Sequence, residues 1–236
     1  MKAESSLNTL PENAIAVRSI VSSPLADKVA ESFGVEMRAV LTGFKYIGGE
    51  ILELENTNET ERFVFGFEES CGYLKGTYAR DKDAVVASML VCELAASMKQ
   101  KGKTILDALE DMYDKYGYYL AYVQSIELKG ADAMEKAAAM MADLRANAPV
   151  SIGGCDVTVV RDYQTGVSKN INTGEVAQII LPKSNVLEYI LGTSGSVIVR
   201  PSGTEPKVKL YYTSVSKTKD AAQEQLTAMI SQMTQS

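Results

Sequence analysis

A nearly unbroken apolar run close to the N-terminus, Ala14 to Val21, reads AIAVRSIV. Such a run does not alternate apolar with polar residues, so it does not suit a strand with one wet face. It suits a parallel strand buried between two layers of helices. The next residues fit that demand. Ser23-Pro24 predicts a helix start, with Ser as N-cap and Pro at the first helical position. Gly34 is a natural stop. Val35 to Val40 reads as a second strand, and Thr42 to Lys45 as the loop after it. Phe44 to Leu54 predicts a helix weakened by Gly48-Gly49. Asn56 to Glu61 is a polar turn and Arg62 to Phe67 a third strand.

Asp81 to Lys101 reads as a long helix with Val85, Val86, Met89, Leu90, Leu94 and Met98 at helical spacing. Thr104 and Asp107 form a capping-box pattern that opens another helix, closed by Gly117. Alternating strands and helices predict a parallel sheet with right-handed crossovers. Near Tyr118 the pattern changes. Tyr119 to Leu128 reads as a strand, and Ala131 to Asn147 as a helix whose Met134, Met140 and Met141 suit core packing. Strands follow at Asp156 to Arg161, Val176 to Leu181, Ser196 to Arg200 and Lys207 to Val215. Ser184 to Leu191 reads as a short helix, and Thr218 to Met233 as the last one. The expected fold class is α/β: a βαβ domain with a mixed or parallel sheet over residues 1–117. A smaller α+β domain, residues 118–236, follows, its sheet mostly antiparallel with helices on one side.

Composition narrows the function. The 236 residues include 24 basic and 30 acidic side chains, a formal charge of −6. That balance argues against a nucleic-acid partner held by bulk charge. No apolar run approaches the ~18 residues of a membrane span, and MKAESSLNTLPENA has no apolar leader region. Histidine is absent, which removes Ser-His-Asp and Cys-His catalysis and His-ligated metals. Cys71, Cys92 and Cys155 are widely spaced, without a CxxC pair, so the reading is a reducing cytoplasm. Catalytic proton transfer would fall to carboxylates, Lys, Tyr or a group supplied from elsewhere.

Two segments carry chemistry. In Arg200-Pro-Ser-Gly-Thr-Glu-Pro206, followed by Lys207-Val-Lys209, a strand ends in a guanidinium that matches phosphate oxygens. Ser202 and Thr204 offer hydroxyls, Gly203 permits close backbone approach, and Lys209 adds a point charge. The residues alone fit either an anion cradle or an ordinary strand-connecting turn. Gly66-Phe-Glu68-Glu69-Ser70-Cys71-Gly72-Tyr73 follows the third strand, and ligands of open α/β sheets bind at the carboxyl ends of strands. It fits either a binding bend for sugar hydroxyls or a solvated acidic turn. Glu69 reads as solvent-facing, Asp81 and Asp83 as helix caps, and Cys71 as filler.

These segments resemble the α-D-phosphohexomutase superfamily, the phosphoglucomutase/phosphomannomutase family. RPSGTEPKVK is similar to the phosphate-binding loop of the family's fourth domain. GFEESCGY is similar to the sugar-binding loop of its third, which places Glu68 and Ser70 on sugar hydroxyls. Leu41-Thr-Gly-Phe-Lys-Tyr-Ile47 resembles a loop that orients substrate, implicating Thr42, Gly43, Phe44 and Lys45. Arg80-Asp-Lys-Asp83 resembles a further active-site segment, implicating Lys82 as an assisting or substrate-binding residue. Lys209 is preferred to Lys207 because the family's basic residue commonly stands nine positions after the loop arginine. The family's phosphoserine and metal loops are absent from this sequence. The resemblance therefore implies the third and fourth domains of a longer mutase, with domains I and II as partners. It implies reversible C1/C6 phosphoryl transfer on hexose phosphates. Mg²⁺ would be held by the missing second domain, and glucose 1,6-bisphosphate would be activator and intermediate. This chain would hold the sugar and the non-reacting phosphate and would be inactive alone. A phosphopentomutase of the same superfamily and a non-catalytic sugar-phosphate-binding module are the alternatives.

Overall fold

The computed structural model describes residues 9–203 and 205–235. The chain divides into two compact units, one ending at Tyr116 and the other beginning at Gly117.

In the first unit the strands are β1 (Ile15–Ser19), β2 (Glu36–Val40), β3 (Phe63–Glu68) and β4 (Gly72–Leu74), in sheet order β2-β1-β3-β4. β1 pairs parallel with β2 and β3, and β4 runs antiparallel to β3. All five residues of β1 are buried, which accounts for the unbroken apolar run. Its faces differ in size. Ile15 and Val17 meet Phe44, Ile47 and Ile51 of α2 (Phe44–Asn56). Ala14 and Ala16 meet Ala30 and Val35, beside α1 (Leu25–Glu31). Pro24, not Ser23, holds the N-cap position of α1, while Ser23 Oγ accepts from Leu25 N–H.

After β4 come α3 (Ala84–Gln100) and α4 (Ile105–Tyr116). The capping box forms as the sequence implies: Asp107 Oδ2 accepts from Thr104 N–H at 2.7 Å, and Thr104 Oγ1 from Asp107 N–H at 3.1 Å. The stripe on α3 is covered only in part. Met98 is buried, whereas Val85 and Met89 are 72% and 57% exposed. The three-residue β4 gives a 17-residue helix little sheet to lie on. Leu90 and Leu94 line a small apolar cleft with Phe65 and Tyr73.

The second unit is a seven-stranded sheet in order β10-β9-β8-β11-β12-β13-β5, with every pairing antiparallel. Its strands are β5 (Tyr118–Glu127), β8 (Val159–Asp162), β9 (Val167–Asn170), β10 (Val176–Gln178), β11 (Leu187–Ile190), β12 (Gly195–Pro201) and β13 (Lys207–Ser216). β6 (Ser151–Ile152) and β7 (Cys155–Asp156) form a separate hairpin. Helices α5 (Ala133–Ala146) and α6 (Lys219–Gln235) share one core with the sheet, built on Met141, Leu187, Tyr189, Val197, Leu210, Tyr212 and Met229. Met140 packs against this core, but Met134 is 54% exposed.

The helix expected over Ser184 to Leu191 is instead strand β11. It lies between β8 and β12. Leu187 and Tyr189 point into the core, and Tyr189 Oη donates to the Leu144 carbonyl at 2.9 Å. Pairing on both sides outweighs local propensity. The single strand expected from Asp156 to Arg161 is likewise split between β7 and β8. No helix of the described residues is long and apolar enough to cross a membrane.

Candidate functional site

In the first unit the carboxyl ends of β1, β2 and β3 carry the polar groups, where open α/β sheets bind ligands. Glu68 ends β3 and is 5% exposed. Its Oε1 accepts from Gly43 N–H at 2.5 Å, joining the sugar-type bend to the loop after β2. Gly43 caps α2 at φ 126°, a backbone setting that L side chains rarely adopt. Beside it, Thr42 Oγ1 is buried without a hydrogen-bond partner. A buried hydroxyl in that state is costly unless something else satisfies it.

Glu69 is tethered rather than simply solvated. Ser70 Oγ donates to its Oε1 at 2.9 Å, and Ser19 Oγ to its Oε2 at 3.4 Å. Ser19 and Ser22 share a hydrogen bond of 2.8 Å. Arg18 fixes this turn by pairing with Asp27 at 2.6 and 2.7 Å and donating to the Ser19 and Ser22 carbonyls. The sequence reading missed this serine pair, although the strand-end rule applied to β3 applies equally to β1. With its proton committed to Glu69, Ser70 can only accept from a ligand. Glu68 and Glu69 can only accept as well when ionised. The bend is therefore an acceptor surface, suited to hydroxyl donors and unsuited to phosphate. Cys71 sits in the same bend at φ 56°, exposed and outside any disulfide among the described residues.

Phe44 belongs to the core. Lys45 is exposed, its Nζ 4.8 Å from the centre of the Tyr46 ring. Lys82 is exposed too, but its segment is anchored: Asp83 N–H donates to the Tyr73 carbonyl at 2.7 Å, next to the bend. Gly48 makes this possible, since a Cβ there would lie 2.9 Å from the Arg80 carbonyl oxygen. Asp83 caps α3 by accepting from Val85 and Val86 N–H. The Tyr78 hydroxyl and these amides hold its carboxyl below the ordinary aspartate range. Among the described residues no hydrogen bond or ion pair links Lys45 or Lys82 to Glu68 or Ser70.

In the second unit Arg200 on β12 stands directly across from Lys209 on β13. Cross-strand partners share one face of a sheet, so two cations lie side by side. Among the described residues no carboxylate pairs with either. Lys207 differs, lying 3.3 Å from Glu127 and 3.6 Å from Glu205. The loop between the strands is closed by Ser202 N–H to the Lys207 carbonyl and Lys207 N–H to the Glu205 carbonyl, both 2.7 Å. Glu205 N–H donates to Ser202 Oγ at 3.3 Å. Gly203 is exposed, with open space where a side chain would stand. Thr204 lies outside the described residues. Arg200, Pro201, Ser202 and Gly203 form one wall of a cleft of about 380 Å³, faced by Met134, Ala137 and Ala138 of α5 and by Ser184-Asn185. Unpaired cations, small loop residues and an open cleft can receive an oxyanion. Among the described residues no group of three or more Cys, Asp or Glu side chains could hold a metal ion.

A mixed-sheet α/β unit followed by an antiparallel α+β unit is the fold of part of the known phosphoglucomutase structures. Among solved structures the chain is similar to the Paramecium exocytosis-sensitive phosphoprotein parafusin, a phosphoglucomutase, in its open form. The TM-score is 0.63 at 19% identity, over 93% of this chain and 36% of that one. It is also similar to a phosphoglucomutase/phosphomannomutase family protein of Burkholderia thailandensis, with TM-score 0.58 at 18% identity, over 98% and 39%. The family models "Phosphoglucomutase/phosphomannomutase, alpha/beta/alpha domain III" and "Phosphoglucomutase/phosphomannomutase, C-terminal domain" match residues 1–116 and 127–230. The chain belongs to the phosphoglucomutase/phosphomannomutase family. Curated relatives include phosphoglucomutases of Staphylococcus aureus, 38% identical over 216 residues, and Staphylococcus epidermidis, 38% identical over 199. These matches cover 92% and 84% of this chain but 38% and 36% of the relatives, so the chain spans little more than a third of their length.

Proposed function

We propose that this chain supplies the sugar- and phosphate-holding part of a phosphohexomutase, acting in reversible C1/C6 phosphoryl transfer on hexose phosphates. The reading divides the substrate by chemistry. The acceptor bend of Glu68 and Ser70, with Thr42 and Gly43, takes sugar hydroxyls. Arg200, Ser202, Gly203, Thr204 and Lys209 take the phosphate that is not being transferred, with Lys45 and Lys82 as further cations toward substrate. Phosphoryl transfer depends mainly on positioning and charge neutralisation, and these residues offer both. The observation that carries the reading is the pair of uncompensated cations, Arg200 directly across from Lys209, at the loop end of β12 and β13.

No residue of this chain is assigned as nucleophile. The Mg²⁺ implied by the family resemblance finds no fitting donor set among the described residues. The phosphoserine, the metal and domains I and II belong, on this reading, to the remainder of a longer protein in the cytoplasm, with glucose 1,6-bisphosphate as its intermediate.

The test is titration of the chain with glucose 1-phosphate, mannose 1-phosphate and ribose 1-phosphate. Arg200→Ala weakens binding by about tenfold or more, the size of a lost charge-assisted contact, whereas Glu205→Ala leaves it unchanged or tighter. Equal effects of the two substitutions refute the phosphate assignment. The ranking of the three sugars separates hexose from pentose preference.

A further inference from the structure

We propose that Asn185 forms a second, donor-bearing wall of the phosphate cleft, held in place by Arg145 as a positioning residue. The proposal rests on the phosphate reading of the Arg200 loop and adds to it a residue from a different part of the chain.

Asn185 lines the same cleft as Arg200, Ser202 and Gly203. Its backbone is fixed on both sides. Ser184 N–H donates to the Tyr163 carbonyl, and Tyr163 N–H to the Val186 carbonyl, each at 3.1 Å. Its side chain is fixed by a guanidinium, since Arg145 Nη2 donates to Asn185 Oδ1. Arg145 is itself immobilised: Nε lies 3.3 Å from both carboxylate oxygens of Asp162, and Nη1 donates to the Met141 carbonyl at 3.3 Å. Asp162 sits on β8, and Arg145 on the last turn of α5.

The chemistry follows from this arrangement. A carboxamide has one acceptor oxygen and two N–H donors. Arg145 occupies the oxygen, so what Asn185 can present to the cleft is its –NH₂ group. An oxyanion accepts hydrogen bonds and donates none when fully ionised. A donor facing the Arg200 loop therefore completes a two-sided site for a phosphate monoester. Because Asp162 pairs with Arg145, the guanidinium serves to orient the amide.

The experiment uses the 236-residue chain and inorganic phosphate, followed by heteronuclear NMR, with thermal melting as a control. Asn185→Ala removes the donors and weakens phosphate by about five- to tenfold, the scale of one hydrogen bond to a charged group. Asn185→Asp keeps an oxygen for Arg145, so folding is unaffected, but replaces the donors by a second acceptor. Phosphate weakens at least as much as with Asn185→Ala. Arg145→Lys loses the oriented contact and weakens phosphate similarly, and the double variant Arg145→Lys/Asn185→Ala is no worse than either single one. Wild-type affinity in Asn185→Ala, or in Asn185→Asp, overturns the donor role. Additive losses in the double variant overturn the positioning role of Arg145. If Arg200→Ala also leaves phosphate binding at the wild-type level, the phosphate reading itself fails and this inference falls with it. If only the Asn185 variants are silent, the reading stands without the second wall.

Discussion

Lys207 and Lys209 lie on the same face of β13, two residues and therefore about 7 Å apart, yet their surroundings differ. Lys209 faces Arg200, and no carboxylate among the described residues pairs with it. Lys207 is engaged by Glu127 at 3.3 Å and Glu205 at 3.6 Å. A charge-assisted contact from Lys209 to phosphate contributes about 1.5–3 kcal/mol. Its partial exposure favours the lower end, so Lys209→Ala is expected to weaken inorganic phosphate about tenfold. Lys207 makes no contact in this arrangement and acts only through water across one strand step, a screened effect of about threefold or less. The assay is phosphate titration at low salt, repeated at high salt. The Lys207→Ala effect fades with salt, while most of the Lys209→Ala effect persists. A Lys207→Ala loss as large as that of Lys209→Ala refutes the assignment of the contact to Lys209.

Other expectations address the scaffold. Gly48→Ala and Gly49→Ala should shift stability in opposite directions. A Cβ at Gly48 meets the Arg80 carbonyl at 2.9 Å, whereas Gly49 faces open space. Gly49→Ala gains about 0.5–1 kcal/mol in urea unfolding, Gly48→Ala loses stability, and gains at both sites would show that the 80–83 segment does not lie on α2. Tyr163→Phe removes the 2.7 Å hydrogen bond from the Tyr163 hydroxyl to the buried Glu188 carboxylate. It should cost about 1–2 kcal/mol in the same measurement, and a neutral result would mean that Arg161 alone satisfies that carboxylate. Asp83 and Asp107 cap α3 and α4 with carboxyls held below the ordinary range, chiefly by the Tyr78 hydroxyl and the Thr104 amide respectively. A depressed native pKa means that the stabilisation is fully present above the unfolded-state value and lost as pH falls through the native one. In acid, hydrogen exchange should therefore rise first at the starts of these helices, and Asp83→Asn should remove the pH dependence for α3. Protection at α3 that falls equally with pH in wild type and Asp83→Asn would argue against that cap as the cause.

What could be read from the sequence was local or periodic. The β1 run announced a strand covered on both faces, and the Ala/Ile alternation within it is resolved in space as a thin and a thick helix interface. The Thr104–Asp107 box spans three residues and closes on itself. The Arg200 and Glu68 segments could be singled out because their residue types are informative wherever they fold. Segment 184–191 could not be assigned correctly from its own residues, because its two strand partners and the core under Tyr189 come from elsewhere in the chain. The same distance effect hid the site's supports. Gly43 reaches Glu68 across 25 residues, Ser19 reaches Glu69 across 50, and Arg145 reaches Asn185 across 40. Composition and short-range pattern set most of the elements and which side chain types are available to meet an anion or a hydroxyl. Which of those groups are left unpaired, and which are held ready by others, depends on contacts between distant segments, and only the folded chain brings those together.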